Sequence, residues 1–194
     1  FLGATLENNH IKLPDQNTGL IVPQAYRDFV SEYGKSSNVL IFNVGWAKDT
    51  RDSALAPNRG YLTSLNAVAG VGDLKYYILS AQQQYYLPLS KDYTLAFNVA
   101  ADWGKSYGSA KSFPVIKNMY GGGIGSVRGY EGASLGPRDT VSGDYLGGST
   151  RLLANVQLFL PFPGTQNDRS LRWFLFADAG KIGTSGGAKC TTGN

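Results

Sequence analysis

The sequence predicts an all-β fold, a transmembrane antiparallel β-barrel, and three observations predict it. Apolar residues alternate with small or polar ones at a period of two, over segments of about ten residues, which is the pattern of barrel strands. No continuous apolar stretch reaches the roughly 18 residues that a transmembrane helix needs. A chain of this kind spans lipid only with strands closed into a barrel, where every backbone group finds a partner. The third observation is the connections: tight, Pro-containing turns recur, while two other connections are long.

The first expected strand runs from Phe1 to Asn9. The long connection over 10–37 follows, and within it Pro23 to Tyr33 has the marks of a short helix. Pro23 suits a first-turn position, and Tyr26, Phe29, Val30 and Tyr33 recur at helical spacing, so a loop helix over the barrel mouth is expected. In the second strand Leu40, Phe42, Val44 and Trp46 share one face, and Ile41, Asn43 and Gly45 share the other, continuing to Ala47 and Asp49. The third and fourth strands cover Tyr61–Val71 and Tyr76–Leu87. The fifth, Tyr93 to Trp103, is cleanest: Tyr93, Leu95, Phe97, Val99, Ala101 and Trp103 lie opposite Thr94, Ala96, Asn98, Ala100 and Asp102. Aromatics close both ends of that apolar face, as an interfacial girdle requires. After the connection over 104–150, Arg151–Leu160 and Leu171–Lys181 complete about seven strands.

Polar residues on the opposite faces (Ser64, Asn66, Asn155, Gln157, Arg172, Asp178) indicate a hydrated lumen rather than a dry core. A soluble sandwich also alternates, but its strands are usually about five or six residues long, against nine to eleven expected here. The tight turns fall at Ala56–Gly60, Leu87–Asp92 and Pro161–Gly164. Short turns on one side and longer loops on the other is the asymmetry of outer-membrane barrels.

The 194 residues make one domain, and both ends look cut, as in an internal piece of a longer polypeptide. The net charge of +4 is spread along the chain without a Lys/Arg-rich run, which argues against a nucleic-acid partner. The single cysteine, Cys190, has no partner for an internal disulfide or a structural zinc site.

No catalytic constellation survives inspection. Gly132-Ala133-Ser134-Leu135-Gly136 fits the G-x-S-x-G pattern, but a Gly-rich loop precedes it and Pro137 follows, where a nucleophile elbow needs a strand and a helix. The only histidine, His10, belongs to the other long connection. Gly121-Gly122-Gly123-Ile124-Gly125 fits neither a dinucleotide fingerprint nor a phosphate loop. Asp139 and Asp144 lack the spacing of a calcium loop. The expectation is a non-enzyme without cofactor or metal.

The longest connection carries Gly123-Ile124-Gly125-Ser126-Val127-Arg128-Gly129-Tyr130-Glu131, then Leu135-Gly136-Pro137. This resembles the Val-Arg-Gly-Phe/Tyr loop of the BamA family of outer-membrane-protein assembly factors, in the BamA/TamA superfamily of surface-antigen barrel domains. Phe176-Ala177-Asp178-Ala179-Gly180 is similar to that family's aromatic-x-Asp-x-Gly strand motif, and Asp49-Thr50-Arg51-Asp52 with Pro57 and Gly60 to a family turn. The resemblance covers almost the whole chain in order.

It implies a barrel of about sixteen strands, of which this chain would hold the seventh to the thirteenth, behind periplasmic POTRA domains. The loop over 104–150 would fold into the lumen, with Arg128 held by acidic residues of the inner wall. Asp178 and Gln157 are the expected partners, Gln157 standing where the family has Glu. Gly129 would allow a tight backbone path and Tyr130 would wedge against the wall. The resemblance implies insertion and folding of other barrel proteins in the bacterial outer membrane without ATP. Its partners would be the lipid bilayer, unfolded outer-membrane proteins and accessory lipoproteins. A two-partner secretion translocator of the same superfamily is the nearest alternative, and a passive porin a more distant one.

Overall fold

A computed structural model describes residues 1–14, 21–108, 112–163 and 171–184. Cys190 and Gly164 lie outside them. Among these residues seven strands appear in chain order: β1 (Leu2–His10), β2 (Ser36–Asp49), β3 (Gly60–Gly72), β4 (Tyr76–Pro88), β5 (Thr94–Ser106), β6 (Thr150–Pro161) and β7 (Arg172–Gly183). One helix, α1 (Gln24–Tyr33), lies between β1 and β2. The strands form one sheet in the order β1-β2-β3-β4-β5-β6-β7, each antiparallel to its neighbours. Every strand pairs with the next in sequence, so the sheet is an open meander with β1 and β7 at its edges.

The two faces separate by chemistry. Leu40, Phe42, Val44, Trp46, Leu65, Leu79, Phe97, Val99, Trp103, Leu152, Trp173 and Leu175 all point outward and stay exposed. So extended an apolar surface fits hydrocarbon and not water. Tyr77 and Trp103 meet edge-on at 5.4 Å between ring centroids near the loop-side border of this band, where amphipathic rings belong. The opposite face carries Asn, Gln, Ser and Asp side chains.

The strand lengths and the connections differ from the expectation. The strands from β2 to β7 run to 12–14 residues rather than nine to eleven. The excess has a use on the loop side, where Val39 and Tyr76 pack with Phe29 of α1, Leu74 and Val115 into a buried apolar cluster. This core sits at the barrel mouth, under the helix. The connections are also less uneven than expected. That between β3 and β4 has only residues 73–75 although it lies on the loop side, and that between β2 and β3 spans residues 50–59. Leu74 anchors the first, since it is 0% exposed and packs in the apolar cluster beneath the loop layer.

Helix α1 begins after Pro23, which occupies the N-cap position rather than the first turn and offers no side-chain cap. The N–H of Gln24 instead donates to Asp139 Oδ1 at 3.2 Å, from 115 residues away. Phe29 is the buried anchor of its apolar face. Tyr33 Oη donates to the Ser112 carbonyl at 2.9 Å, and Ser112 Oγ donates to Glu32 at 2.8 Å, so both long connections are stitched into one layer.

Candidate functional site

The connection between β5 and β6 leaves the wall at Ser106 and returns at Thr150. Its first fixed point is a short 3-10 turn, Val115–Lys117, whose Val115 enters the apolar cluster at the mouth. Lys117 Nζ reaches both carboxylate oxygens of Glu7 on β1, at 2.6 and 2.9 Å, and lies 5.9 Å from the centroid of the Tyr76 ring. Further on, Arg151 of β6 donates to Asp102 of β5 at 2.7 Å and to the Tyr120 carbonyl at 3.1 Å.

The segment then turns onto β6 and β7, and after a turn closed by the Ser126 N–H on the Gly123 carbonyl at 3.1 Å it makes a contact of high specificity. Arg128 Nε and Nη2 donate to Asp178 Oδ2 and Oδ1, both at 2.6 Å, and the Arg128 backbone N–H donates to Oδ2 at 2.9 Å. This is the two-pronged geometry for which a guanidinium is built and an ammonium is not. The Asp178 side chain is 2% exposed and that of Arg128 13%. The guanidinium carbon also sits 3.8 Å from the Phe176 ring centroid and 5.5 Å from that of Phe174, within stacking reach of a cation on a ring face.

Strand periodicity explains why the aromatic-x-Asp-x-Gly pattern has this spacing. Phe176, Asp178 and Gly180 are alternate residues of β7 and therefore share the lumen face. Phe176 stacks, Asp178 pairs, and Gly180 leaves space. A Cβ on Gly180 would fall 2.6 Å from Val127 Cγ2 and 3.0 Å from Leu153 Cδ2. Val127 fills that gap and is 3% exposed. Gly129 follows at φ 90°, a left-handed backbone that L side chains rarely adopt, which lets the chain reverse directly after Arg128.

Not every expected residue takes its expected place. Asn155, not Gln157, stands against Asp178. It is paired with it in register, donates from Nδ2 to Asp178 Oδ1 at 2.9 Å, and donates to the Ser126 carbonyl at 2.7 Å. Gln157 lies one lumen position nearer the turn side, opposite Phe176. The offset is that of the β6–β7 register. Tyr130 is 56% exposed among the described residues, and Val127 is the side chain that the wall buries. Sequence reasoning missed Asn155 and the stacking role of Phe176. Asn155 did lie on the expected lumen face, so the signal was present but not the pairing.

The remaining polar motifs are structural. Asp139 Oδ2 accepts the backbone N–H groups of Ser142 and Val141, and Oδ1 that of Gln24. These donors, Ser142 first, hold its carboxyl below the ordinary carboxylate range. Asp52, in the β2–β3 connection, is likewise lowered by the backbone N–H groups of Asn58 and then Arg59. In the same connection Arg51 pairs with Asp49 at 2.7 Å and donates to Gln84 at 3.3 Å. Asn58 Oδ1 accepts from Arg172 of β7 at 3.0 Å. His10 meets Ser36 Oγ at 2.7 Å at the start of the sheet. Among the described residues no group of three or more His, Cys, Asp or Glu could hold a metal ion.

The Omp85 superfamily domain matches residues 2–193. This chain belongs to the Omp85 superfamily. It is 38% identical over 181 residues to the outer membrane protein assembly factor BamA of Neisseria meningitidis serogroup B, covering 86% of this chain and 22% of that protein. It is 32% identical over 120 residues to the sorting and assembly machinery component 50 homolog of Mus musculus, covering 59% of this chain and 24% of that protein. This Omp85 chain thus spans less than a quarter of the length of these relatives. Its fold is similar to the crystal structure of BamA from Haemophilus ducreyi lacking POTRA domains 1–3, with a TM-score of 0.79 over 93% of this chain and 37% of that one, at 21% identity. The seven strands are part of an Omp85 barrel wall, an outer-membrane architecture, and the sheet described here is not closed.

Proposed function

We propose that this chain is the middle of the barrel of an outer-membrane-protein assembly factor, corresponding to strands seven to thirteen of about sixteen. Its inserted loop braces the wall during insertion of other barrel proteins. The single observation that carries this reading is the bidentate Arg128–Asp178 pair, with Phe176 stacked beneath it. A loop that only narrows a pore has no need of a buried guanidinium locked to one strand. A loop that must hold a wall in shape while the barrel opens and recloses does need it.

The intact protein would work in the bacterial outer membrane without ATP, as a scaffold and not an enzyme. It would use the lipid bilayer, unfolded outer-membrane proteins and accessory lipoproteins as partners. Substrate strands would add to an exposed strand edge by backbone pairing, mostly through parts of the protein outside these residues.

Depletion of the full-length protein in its own bacterium tests this. Loss of many folded barrel proteins together supports the assembly role. Loss of one secreted partner alone would indicate a translocator, and a change confined to solute conductance would indicate a porin.

A further inference from the structure

We infer that three carboxamides on the lumen wall, Gln82, Asn98 and Asn155, form a polarised ladder that aims the Asp178 carboxylate at Arg128. Gln82 and Asn98 are thereby positioning residues of the lock. The inference rests on reading the Arg128–Asp178 pair as that lock. Gln82 Nε2 donates to Asn98 Oδ1 at 2.9 Å, Asn98 Nδ2 donates to Asn155 Oδ1 at 2.8 Å, and Asn155 Nδ2 donates to Asp178 Oδ1 at 2.9 Å. The four residues sit on four successive strands, β4 to β7, and Asn98, Asn155 and Asp178 stand directly opposite one another in register.

The direction of the ladder follows from its end. An ionised carboxylate only accepts hydrogen bonds, so Asn155 must turn its NH₂ toward Asp178. Its oxygen then faces Asn98, which must present an NH₂ in turn, and the Asn98 oxygen is left for Gln82. Reversing any one amide would set two oxygens or two NH₂ groups against each other. Dipoles aligned this way strengthen one another, and their donor ends all point at the carboxylate.

Asp178 is saturated as a result. Its Oδ2 takes the Arg128 N–H and Nε, and its Oδ1 takes Nη2 and Asn155 Nδ2, four donors for about four lone-pair sites. Asn155 also holds the Ser126 carbonyl at 2.7 Å, so the loop is pinned on both sides of the buried Val127. Among the described residues no hydrogen bond of Gln82 or Asn98 reaches the loop. Their influence on it passes through Asn155 and Asp178.

The test uses the full-length protein in its membrane, with trypsin cleavage of the Arg128–Gly129 bond as the reporter. Cleavage follows the open population of the loop when opening is fast. Asn98→Leu orphans the Asn155 oxygen and is expected to speed cleavage about tenfold. Gln82→Leu, one rung further out, is expected to act in the same direction and less. In an Asp178→Ala background Asn98→Leu should add nothing, because the ladder then has no end to aim. Unchanged cleavage in Asn98→Leu, or the same acceleration with and without Asp178, would overturn the ladder. The shift in gel mobility on heating checks that each barrel has closed. If Asn98→Leu fails that check, Asn98→Asp keeps the volume, cannot donate to Asn155 when ionised, and carries the same expectation. The lock reading fails separately, if Asp178→Ala opens the loop while assembly of other barrel proteins continues unchanged.

Discussion

Arg128 gives three hydrogen bonds to one carboxylate, that of Asp178, and one of the three comes from its own backbone N–H. The pair therefore fixes the path of the loop backbone as well as the position of the side chain. With Asp178 almost fully covered, removal of either partner leaves a buried charge alone, which typically costs about 3–5 kcal/mol. This sets the scale for the predictions that concern the loop.

Arg128→Glu in the full-length protein should abolish most assembly of other barrel proteins, and Arg128→Glu with Asp178→Arg should restore it only in part. The swapped pair recovers opposite charges, but the backbone N–H of residue 128 then faces a guanidinium that cannot accept it. Arg128→Lys should also be defective, since an ammonium keeps the charge and loses the two-pronged contact and the stacking on Phe176. The measurement is the amount of folded barrel protein in the outer membrane. Full recovery by the double change, or normal assembly with Lys, would contradict the geometry.

Gly180→Ala places a methyl group against Val127 and Leu153, with the overlap largest at Val127 Cγ2. Overpacking of this kind costs about 1–3 kcal/mol, here as partial undocking of the loop. Val127→Ala removes the colliding methyl and should relieve much of the defect in the double variant. Trypsin cleavage after Arg128 reads both effects. Equal cleavage in Gly180→Ala and the parent would mean that the space is not needed.

The Lys117–Glu7 contact ties the other side of the same loop to β1, yet it should matter far less. Its side chains are 20% and 30% exposed, so water screens the pair. A double-mutant cycle on the temperature of the gel-mobility shift should give a coupling of about 0–1 kcal/mol, well under that for Arg128 and Asp178. A coupling as large as that of the buried pair would show that the loop has two equal anchors.

Asp139 predicts a response to acid. Its carboxyl is held below the ordinary value near 3.8 by the backbone N–H of Ser142 and further donors that include Gln24. A lowered folded pKa means stability that is present above the unfolded value and lost as pH falls through the folded one. Docking of α1 on the loop should thus be intact at neutral pH and fail only below about pH 4. Asp139→Asn should loosen α1 at neutral pH, read as faster trypsin cleavage after Arg27. No difference between Asn and Asp at pH 7 would sink this role.

The sequence by itself determined the seven strands and which side of each meets lipid. A wall between hydrocarbon and water forces a period of two that no other requirement disturbs, so Leu40, Phe42, Val44 and Trp46 could be assigned to one face without coordinates. It also singled out Arg128, Asp178, Phe176 and Gly180 by motif, and Pro23 to Tyr33 as a helix. Only the tertiary structure decided which residues meet across strands. Asn155 rather than Gln157 faces Asp178 because a shift of two along β6 preserves the face and changes the partner, and periodicity does not distinguish the two. Val127 rather than Tyr130 enters the wall because the space it fills is made by a glycine 53 positions later in the chain. The amide ladder was invisible for the same reason: it needs the register of four strands at once, and the connection between β5 and β6 is too long for turn chemistry to dictate theirs.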